Sequence, residues 1–197
     1  MPLVEPHLKR VISFVDGQNL YRSAMECFGY TYPNYDIAAL SNAVSRERFK
    51  CDVVQARFYT GVPPIAEDPR WHGFWTTKLR AMSVQGIHTY HRPTRNQKEK
   101  GIDVRIALDV IGLAHRRSYD VALIFSQDQD LSEVVTEIKA IAHEQDRWIK
   151  VACAYPVAHH MTKRGINQTE WVQITKEMYD RCIDPRDYRS RGSRGSP

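Results

Sequence analysis

The sequence predicts an α/β protein with a mainly parallel central sheet. Two short apolar runs, residues 11–15 and Val121–Phe125, lack alternation and are typical of strands that are covered on both faces. Stretches with apolar residues at every third or fourth position separate the candidate strands along the chain. Strands that alternate with helices of about 10–15 residues indicate βαβ units and therefore a parallel sheet.

The first half of the chain begins with a buried strand and continues through three helices. Its predicted elements are, in order, a strand at 11–15, helices at 20–28 and 36–48, a strand at 53–59 and a helix at 69–84. The second helix carries Ile37, Leu40 and Val44 at helical spacing. Pro63 and Pro64 interrupt the chain after the second strand.

The second half continues the alternation and then becomes less regular. Its predicted elements are a strand at 87–91, a basic loop at 92–100, helices at 102–116 and 131–143, and strands at 121–125 and 149–154. Residues 159–183 show no clear pattern. We expect an N-terminal extension at 1–10, one domain at 11–183 and a disordered Arg/Ser/Gly tail at 184–197.

Composition excludes several classes of protein. The 197 residues are 42% hydrophobic and 26% charged, which argues against whole-chain disorder and suits one domain with a sizeable core. No apolar run approaches the roughly 20 residues of a spanning helix, so no membrane partner is expected. Four dispersed cysteines without CxxC, and no apolar leader, predict a cytoplasmic protein. The net charge of +5 is compatible with nucleic acid without requiring it.

Acidic residues follow closely after the two most apolar strands. Asp16 comes after the first strand, and Asp128 and Asp130 come after Val121–Phe125. In parallel α/β sheets the working residues lie just beyond the carboxyl ends of the strands. If both strands are central, these carboxylates converge, and a divalent cation is the usual compensation for their repulsion.

The helix at 102–116 carries a carboxylate on its apolar side. On a helical wheel Asp103 lies between Val110 and Ala114, which predicts that it points towards the core. A position in the first helical turn also gains from the helix dipole, but that does not explain its inward direction. Asp109 lies on the polar stripe four residues from Arg105, so a surface ion pair is expected there.

Other interpretations of these residues remain open at this stage. Asp130 and Glu133 form the D-x-x-E pattern of a capping box, so Asp130 has an alternative role as an N-cap. The histidine pairs at 88/91 and 159/160 lack a metal-binding pattern and favour structural roles. The chain contains no P-loop, dinucleotide fingerprint or G-x-S-x-G elbow.

Three segments resemble the NYN domain, a branch of the PIN-like nucleases. They are FVDGQNLY at 14–21, KGIDVRIALDV at 100–110 and YDVALIFSQDQDL at 119–131, and the resemblance covers about 11–154. It implies a PIN-like three-layer α/β/α sandwich with a metal-dependent ribonuclease site. Matched by position, Asp16, Asp103 and Asp128 are metal-site acids, Asp130 is the following acid, Asn19 is the polar partner, Asp109 is a further acid of the second motif, and Lys100 is a basic residue before Asp103. Gln127 replaces a usual glycine, where a side chain could crowd the phosphate path, and Leu131 replaces a usual phenylalanine.

These observations predict an endoribonuclease that uses Mg²⁺ or Mn²⁺. The acids Asp16, Asp103 and Asp128 are expected to hold the ions, with Asp130 and Asn19 completing the catalytic set. The expected contacts to RNA, in single-stranded form, are Arg92, Arg95, Lys98, Lys100 and Ser126. Tyr21 and Trp71 are candidates for base stacking, although the helical spacing of Trp71 favours a core or interface role.

The sequence leaves two other functions open. It also leaves open whether the protein forms a homo-oligomer. One is a catalytically inert NYN-type domain that binds RNA or protein. The other is a phosphohydrolase of small phosphate esters, for which the sequence lacks a D-x-D-x-T nucleophile motif because Gly17, Gln18 and Asn19 follow Asp16.

Overall fold

A computed structural model describes residues 3–94, 101–158 and 164–189. The strands are β1 (Val11–Asp16), β2 (Val53–Val62), β3 (His88–Pro93), β4 (Val121–Phe125), β5 (Lys150–Pro156) and β6 (Glu170–Ile174). The helices are α1 (Gly17–Phe28), α2 (Ile37–Phe49), α3 (Pro69–Val84), α4 (Ile102–His115), α5 (Ser132–Glu144) and α6 (Lys176–Asp180), with a short 3₁₀ helix at Gln129–Leu131.

The six strands form one sheet in the order β3-β2-β1-β4-β5-β6, and each neighbouring pair is parallel. The predicted α/β class with a parallel sheet is confirmed. The chain moves outwards from β1 to β3 on one side and from β4 to β6 on the other. The order therefore reverses between β1 and β4, which creates a crevice at the carboxyl ends of these central strands.

Side chains of β1 show how the sheet separates two helical layers. Val11 and Val15 belong to the core that packs on α1, α2, α3 and α6. Ile12 and Phe14 point to the opposite face and join the core under α4 and α5. Because both faces of the strand are covered, its side chains are mostly apolar and do not alternate with polar ones; the small Ser13 is the exception within the run. The three-layer α/β/α sandwich is thereby confirmed.

The first helix begins earlier than its apolar pattern predicts. The expected start is residue 20, whereas α1 begins at Gly17. Asp16 adopts an extended conformation and its Oδ1 accepts a hydrogen bond from the N–H of Asn19 at 3.0 Å. This N-cap satisfies a donor of the first turn and lets the helix begin at once after the strand.

Two elements occupy the region that had no clear sequence pattern. Strand β6 pairs with β5 at the edge of the sheet, and only Val172 and Ile174 of its side chains are buried. Helix α6 follows directly, with Thr175 as its N-cap.

The expected disordered tail from residue 184 is wrong for residues 184–189. Asp184 is buried, and its Oδ2 accepts a hydrogen bond from the hydroxyl of Tyr188 at 2.9 Å. The ring of Tyr188 packs edge-on against Phe74 of α3. The Arg/Ser/Gly composition indicated disorder, but composition cannot show that the ring of Tyr188 packs against Phe74. Residues 190–197 lie outside the described residues.

In the described ranges 3–94, 101–158 and 164–189, no helix has the length and apolar character needed to cross a membrane.

Candidate active site

The crevice at the ends of β1 and β4 contains a cavity of about 200 Å³. Its lining brings together the three carboxylates that the sequence placed in one site. The lining residues are Asp16, Gln18, Asn19, Arg22, Ile102, Asp103 and Asp128. They come from α1 and the residue before it, from the first turn of α4, and from the loop after β4. The parallel sheet creates this meeting point because it directs the ends of β1 and β4 to the same edge.

Asp16 is the most deeply placed of the three carboxylates. Burial raises the pKa of Asp16 to about 6, and the charge of Asp128 contributes in the same direction. Hydrogen bonds from the backbone N–H groups of Asn19 and Gln18, and the positive charge of Arg22, oppose the rise. A cation in the cavity would favour the ionised form that burial and Asp128 disfavour.

Asp128 is held by the turn that follows β4. Its Oδ1 accepts a hydrogen bond from the N–H of Asp130 at 3.0 Å, and its own N–H donates to the hydroxyl of Ser126 at 3.2 Å. Asp128 therefore caps the 3₁₀ helix, and α5 has Leu131 at its N-cap position with no side-chain cap, so the capping role considered for Asp130 is wrong. Asp130 is exposed and does not line the cavity. Ser126 is buried, and its hydroxyl positions Asp128 by accepting the hydrogen bond from the Asp128 N–H, while its contact to RNA stays a prediction.

Asp103 reaches the cavity from the first turn of α4. Gly101 precedes the helix with a φ of +76°, a left-handed conformation that favours glycine. The buried face of the helix carries Ile102 and Ile106, and Asp103 lies beside this face at the edge of the cavity. The helical wheel predicted that Asp103 points towards the core. In the structure Asp103 instead lines the cavity, beside the apolar face of the helix.

Asn19 and Gln127 connect α1 to the loop after β4. The Asn19 Oδ1 accepts a hydrogen bond from the N–H of Gln127 at 3.0 Å. The Gln127 side chain accepts from the Ser23 hydroxyl at 2.8 Å and donates to the carbonyl of Arg164 at 2.9 Å. Gln127 is absent from the cavity lining, so its side chain does not fill this cavity. Its amide instead ties together three segments around the site.

The described residues contain no group of three or more His, Cys, Asp or Glu side chains that could hold a metal ion. Asp16 and Asp128 each accept a hydrogen bond from a backbone N–H, and mutual repulsion favours separated carboxylates. The donor set nevertheless suits a hard cation, since Mg²⁺ is usually held by one or two carboxylates and keeps several waters. The cavity lining offers such carboxylates without nitrogen or sulfur ligands.

Asp109 lies apart from the cavity in an ion-pair cluster between β2 and α4. Its carboxylate accepts hydrogen bonds from Arg57 at 2.9 Å and from the Tyr59 hydroxyl at 2.8 Å, and it pairs with Arg105 at 3.0 Å. The expected pair with Arg105 is present, but it is not on the surface, because the Asp109 side chain is only 12% exposed. The sequence pattern missed Arg57, which comes from a different element.

The predicted basic contacts are only partly described. Arg92 belongs to β3 and not to a loop, is exposed, and donates a hydrogen bond to the Tyr90 hydroxyl at 2.7 Å. Arg95, Lys98 and Lys100 lie outside the described residues, as do His159 and His160. Sequence reasoning missed Arg22, which lines the cavity; its position one helical turn after Asn19 was the available signal.

The comparison with known families decides where this chain belongs. The model of the NYN domain matches residues 10–167, most of the chain. The chain belongs to the NYN domain family. The family is nuclease-like, which agrees with the position of the carboxylates.

Among solved structures, the NYN chain is similar to a protein of unknown function from Vibrio parahaemolyticus. The two share 20% sequence identity with a TM-score of 0.51, over 95% of this chain and 99% of the other. At this identity the likeness shows the fold alone. No curated protein matches the chain significantly.

Proposed function

We propose that this NYN protein is a metal-dependent endoribonuclease that cleaves phosphodiester bonds of single-stranded RNA. One observation carries the proposal: Asp16, Asp103 and Asp128, from three separate segments, line one cavity at the crevice of the sheet. A pure folding role does not require carboxylates from three segments at one cavity, and the charge of Asp128 already contributes to the raised pKa of Asp16. The NYN family membership supports the same conclusion.

In this proposal Asp16, Asp103 and Asp128 hold Mg²⁺ or Mn²⁺, partly through water. When bound, such an ion neutralises charge on the scissile phosphate and lowers the pKa of a bound water. Arg22 offers a positive charge to the phosphate from the wall of the same cavity. Asn19 contributes by holding the Gln127 backbone, and through it the loop that carries Asp128.

The variant Asp103→Asn tests this assignment because it keeps the shape and removes one charge. The thermal stability of the metal-free protein should hold or rise, since repulsion among the carboxylates decreases. The stabilisation by Mg²⁺ or Mn²⁺ should shrink, and cleavage of labelled single-stranded RNA should fall at least about tenfold. A variant that is less stable than the wild type but fully active would refute the metal-ligand role.

The variant Asp52→Asn is the matched control. Asp52 is exposed and precedes β2, so it lies at the amino-terminal edge of the sheet, opposite the crevice. Its substitution should change neither the response to metal nor cleavage. Equal loss of cleavage in both variants would show that the measured activity does not depend on the cavity.

The second candidate is a catalytically inert NYN domain that binds RNA or protein. It is favoured by the lack, among the described residues, of three metal-ligating side chains grouped to hold an ion. Purified wild-type protein that binds RNA, yet neither gains stability from Mg²⁺ or Mn²⁺ nor cleaves RNA, would establish this alternative. Cleavage that EDTA abolishes would exclude it.

A further inference from the structure

A second cavity of about 390 Å³ adjoins the carboxylate cavity. Gln18 lines both, so the two are neighbours along α1. The lining of the second cavity is Gln18, Tyr21, Pro33, Pro63, Glu67, Asp68, Trp71, Trp75 and Thr94. Its volume is within the range of roughly 300–1,000 Å³ that is common for small-ligand sites.

Aromatic rings form much of its wall. Tyr21 and Trp71 have ring centroids 6.3 Å apart at an interplanar angle of 49°. The Tyr21 hydroxyl donates a hydrogen bond to the carbonyl of Thr31 at 2.9 Å, and Trp71 packs edge-on against Phe74. These contacts hold both rings in place while each remains partly exposed. Positioned aromatic rings are the usual stacking partners of nucleobases.

One residue of the same lining carries a buried hydroxyl without a described partner. Thr94 is only 5% exposed, and its Oγ1 has no hydrogen-bond partner among the residues that the structure describes. Burying an unpaired hydroxyl costs free energy, so a ligand group that pairs with it gains affinity. The hydroxyl can both donate and accept, and the amide of Gln18, which also lines the cavity, has donor and acceptor groups as well.

The charge of the rim selects the kind of ligand. Glu67 and Asp68 line the cavity, so a phosphate is repelled there. Asp68 also accepts hydrogen bonds from the backbone N–H groups of Arg70 and Trp71 as the N-cap of α3. An uncharged planar group with N–H donors suits these surroundings better than an anion.

We propose that this cavity receives the base of a nucleotide next to the scissile phosphate. The base stacks on Trp71 and Tyr21, and its polar edge pairs with Thr94 and Gln18. This inference rests on the proposed nuclease function, which places the phosphate in the adjoining cavity. It assigns Trp71 as the stacking residue and Thr94 as a hydrogen-bonding residue of the substrate-binding surface.

The test is binding of a fluorescent single-stranded RNA of about ten nucleotides in EDTA, which separates binding from cleavage. A set of such RNAs carries one abasic position, moved along the strand. Wild-type protein should bind at least about fivefold more weakly when the abasic position meets the cavity. Trp71→Ala should weaken binding of the intact RNA by a similar factor and should lose the abasic effect, whereas Trp71→Phe should keep both.

The variant Thr94→Val separates binding from folding. It replaces an unpaired buried hydroxyl by a methyl group of the same shape, so the melting temperature should hold or rise while binding weakens. Two matched controls should leave RNA binding unchanged. Ser45→Ala removes another buried hydroxyl that lacks a described partner, and Trp148→Ala removes another partly exposed tryptophan, outside the cavity lining.

The inference is overturned if Trp71→Ala binds as tightly as wild type, if its abasic effect persists, or if wild-type protein does not bind RNA. If wild-type protein cleaves RNA but Trp71→Ala leaves RNA binding unchanged, this inference is refuted while the nuclease activity stands. A Trp71-dependent abasic effect in a protein that never cleaves RNA supports this inference and refutes the nuclease activity instead.

Discussion

Replacing Asp184 by asparagine should leave a buried lysine without its carboxylate partner. Lys78 is completely buried, and its Nζ lies 3.4 Å from the Asp184 Oδ2, whose side chain is 4% exposed. The same ammonium donates a hydrogen bond to the carbonyl of Tyr35 at 2.8 Å and lies over the ring of Tyr188. The pair joins α3 to the segment after α6, which composition alone marked as disordered.

The expected loss follows from the burial of this pair. Removing one partner of a buried ion pair costs about 3–5 kcal/mol, because the other charge stays buried without compensation. The amide of the substituted side chain would still offer an acceptor oxygen, so we expect a loss of about 3 kcal/mol near pH 6.5. For a domain of this size 1 kcal/mol corresponds to about 2–4 °C, so the melting temperature should fall by about 6–12 °C.

The loss should depend on pH in a defined direction. Burial lowers the pKa of Lys78 to about 8, although Asp184 opposes this effect. The pKa of a lysine in the unfolded chain is about 10.4, so the unfolded state binds more protons between pH 8 and about 10.4. The contribution of Lys78 to wild-type stability should therefore rise with pH across this window. Without Asp184 the pKa of Lys78 falls further below 8, so the buried lysine of the variant loses its proton at a lower pH than in wild type. The deficit of the variant therefore shrinks as the pH rises from that lowered pKa towards 8, and it stays smaller at about pH 9.5.

The assay is thermal unfolding of wild type and Asp184→Asn at about pH 6.5 and pH 9.5. The control is Asp180→Asn, which removes the carboxylate of an exposed pair with Lys176 and should change the melting temperature little. A decrease under about 2 °C for Asp184→Asn at the lower pH would refute a stabilising role for the buried pair. A deficit that does not shrink at the higher pH would refute the assignment of the pH dependence to Lys78.

Three further substitutions test other contacts. Gly17→Ala should lower the free energy of unfolding, measured in urea, by about 1–3 kcal/mol, because the new Cβ would lie 2.3 Å from the Phe58 Cζ. An unchanged urea midpoint would contradict this. Asp109→Ala should cost about 2 kcal/mol, because Arg57 loses its carboxylate and keeps only hydrogen bonds to Tyr59 and Gln55, while RNA cleavage should survive. A loss of cleavage at equal stability would place Asp109 in the active site. Gln127→Gly should cost about 1–2 kcal/mol by removing two hydrogen bonds while the metal response persists, and a gain of stability would show that the side chain is strained.

The fold class and most of the element order follow from local sequence patterns. Apolar runs without alternation at β1 and β4 indicate strands covered on both faces, and that requirement is local. The same patterns could not place β6. This strand has only five residues and buries one face, so its sequence is hard to distinguish from that of a loop. The start of α1 was missed for a related reason, since its first turn depends on the cap from Asp16 and not on apolar spacing.

In the candidate site, too, some residues were predictable from the sequence and others were not. Asp16 and Asp128 were predictable because a carboxylate at the end of a buried parallel strand, or within a few residues after it, lies near the carboxyl edge of the sheet. No local pattern could show that Gln127 turns to Ser23, or that Thr94 and Trp71 line a second cavity. Periodicity records which side of an element faces the core. It does not record which residues from distant segments meet there, because that depends on how the helices pack across the sheet.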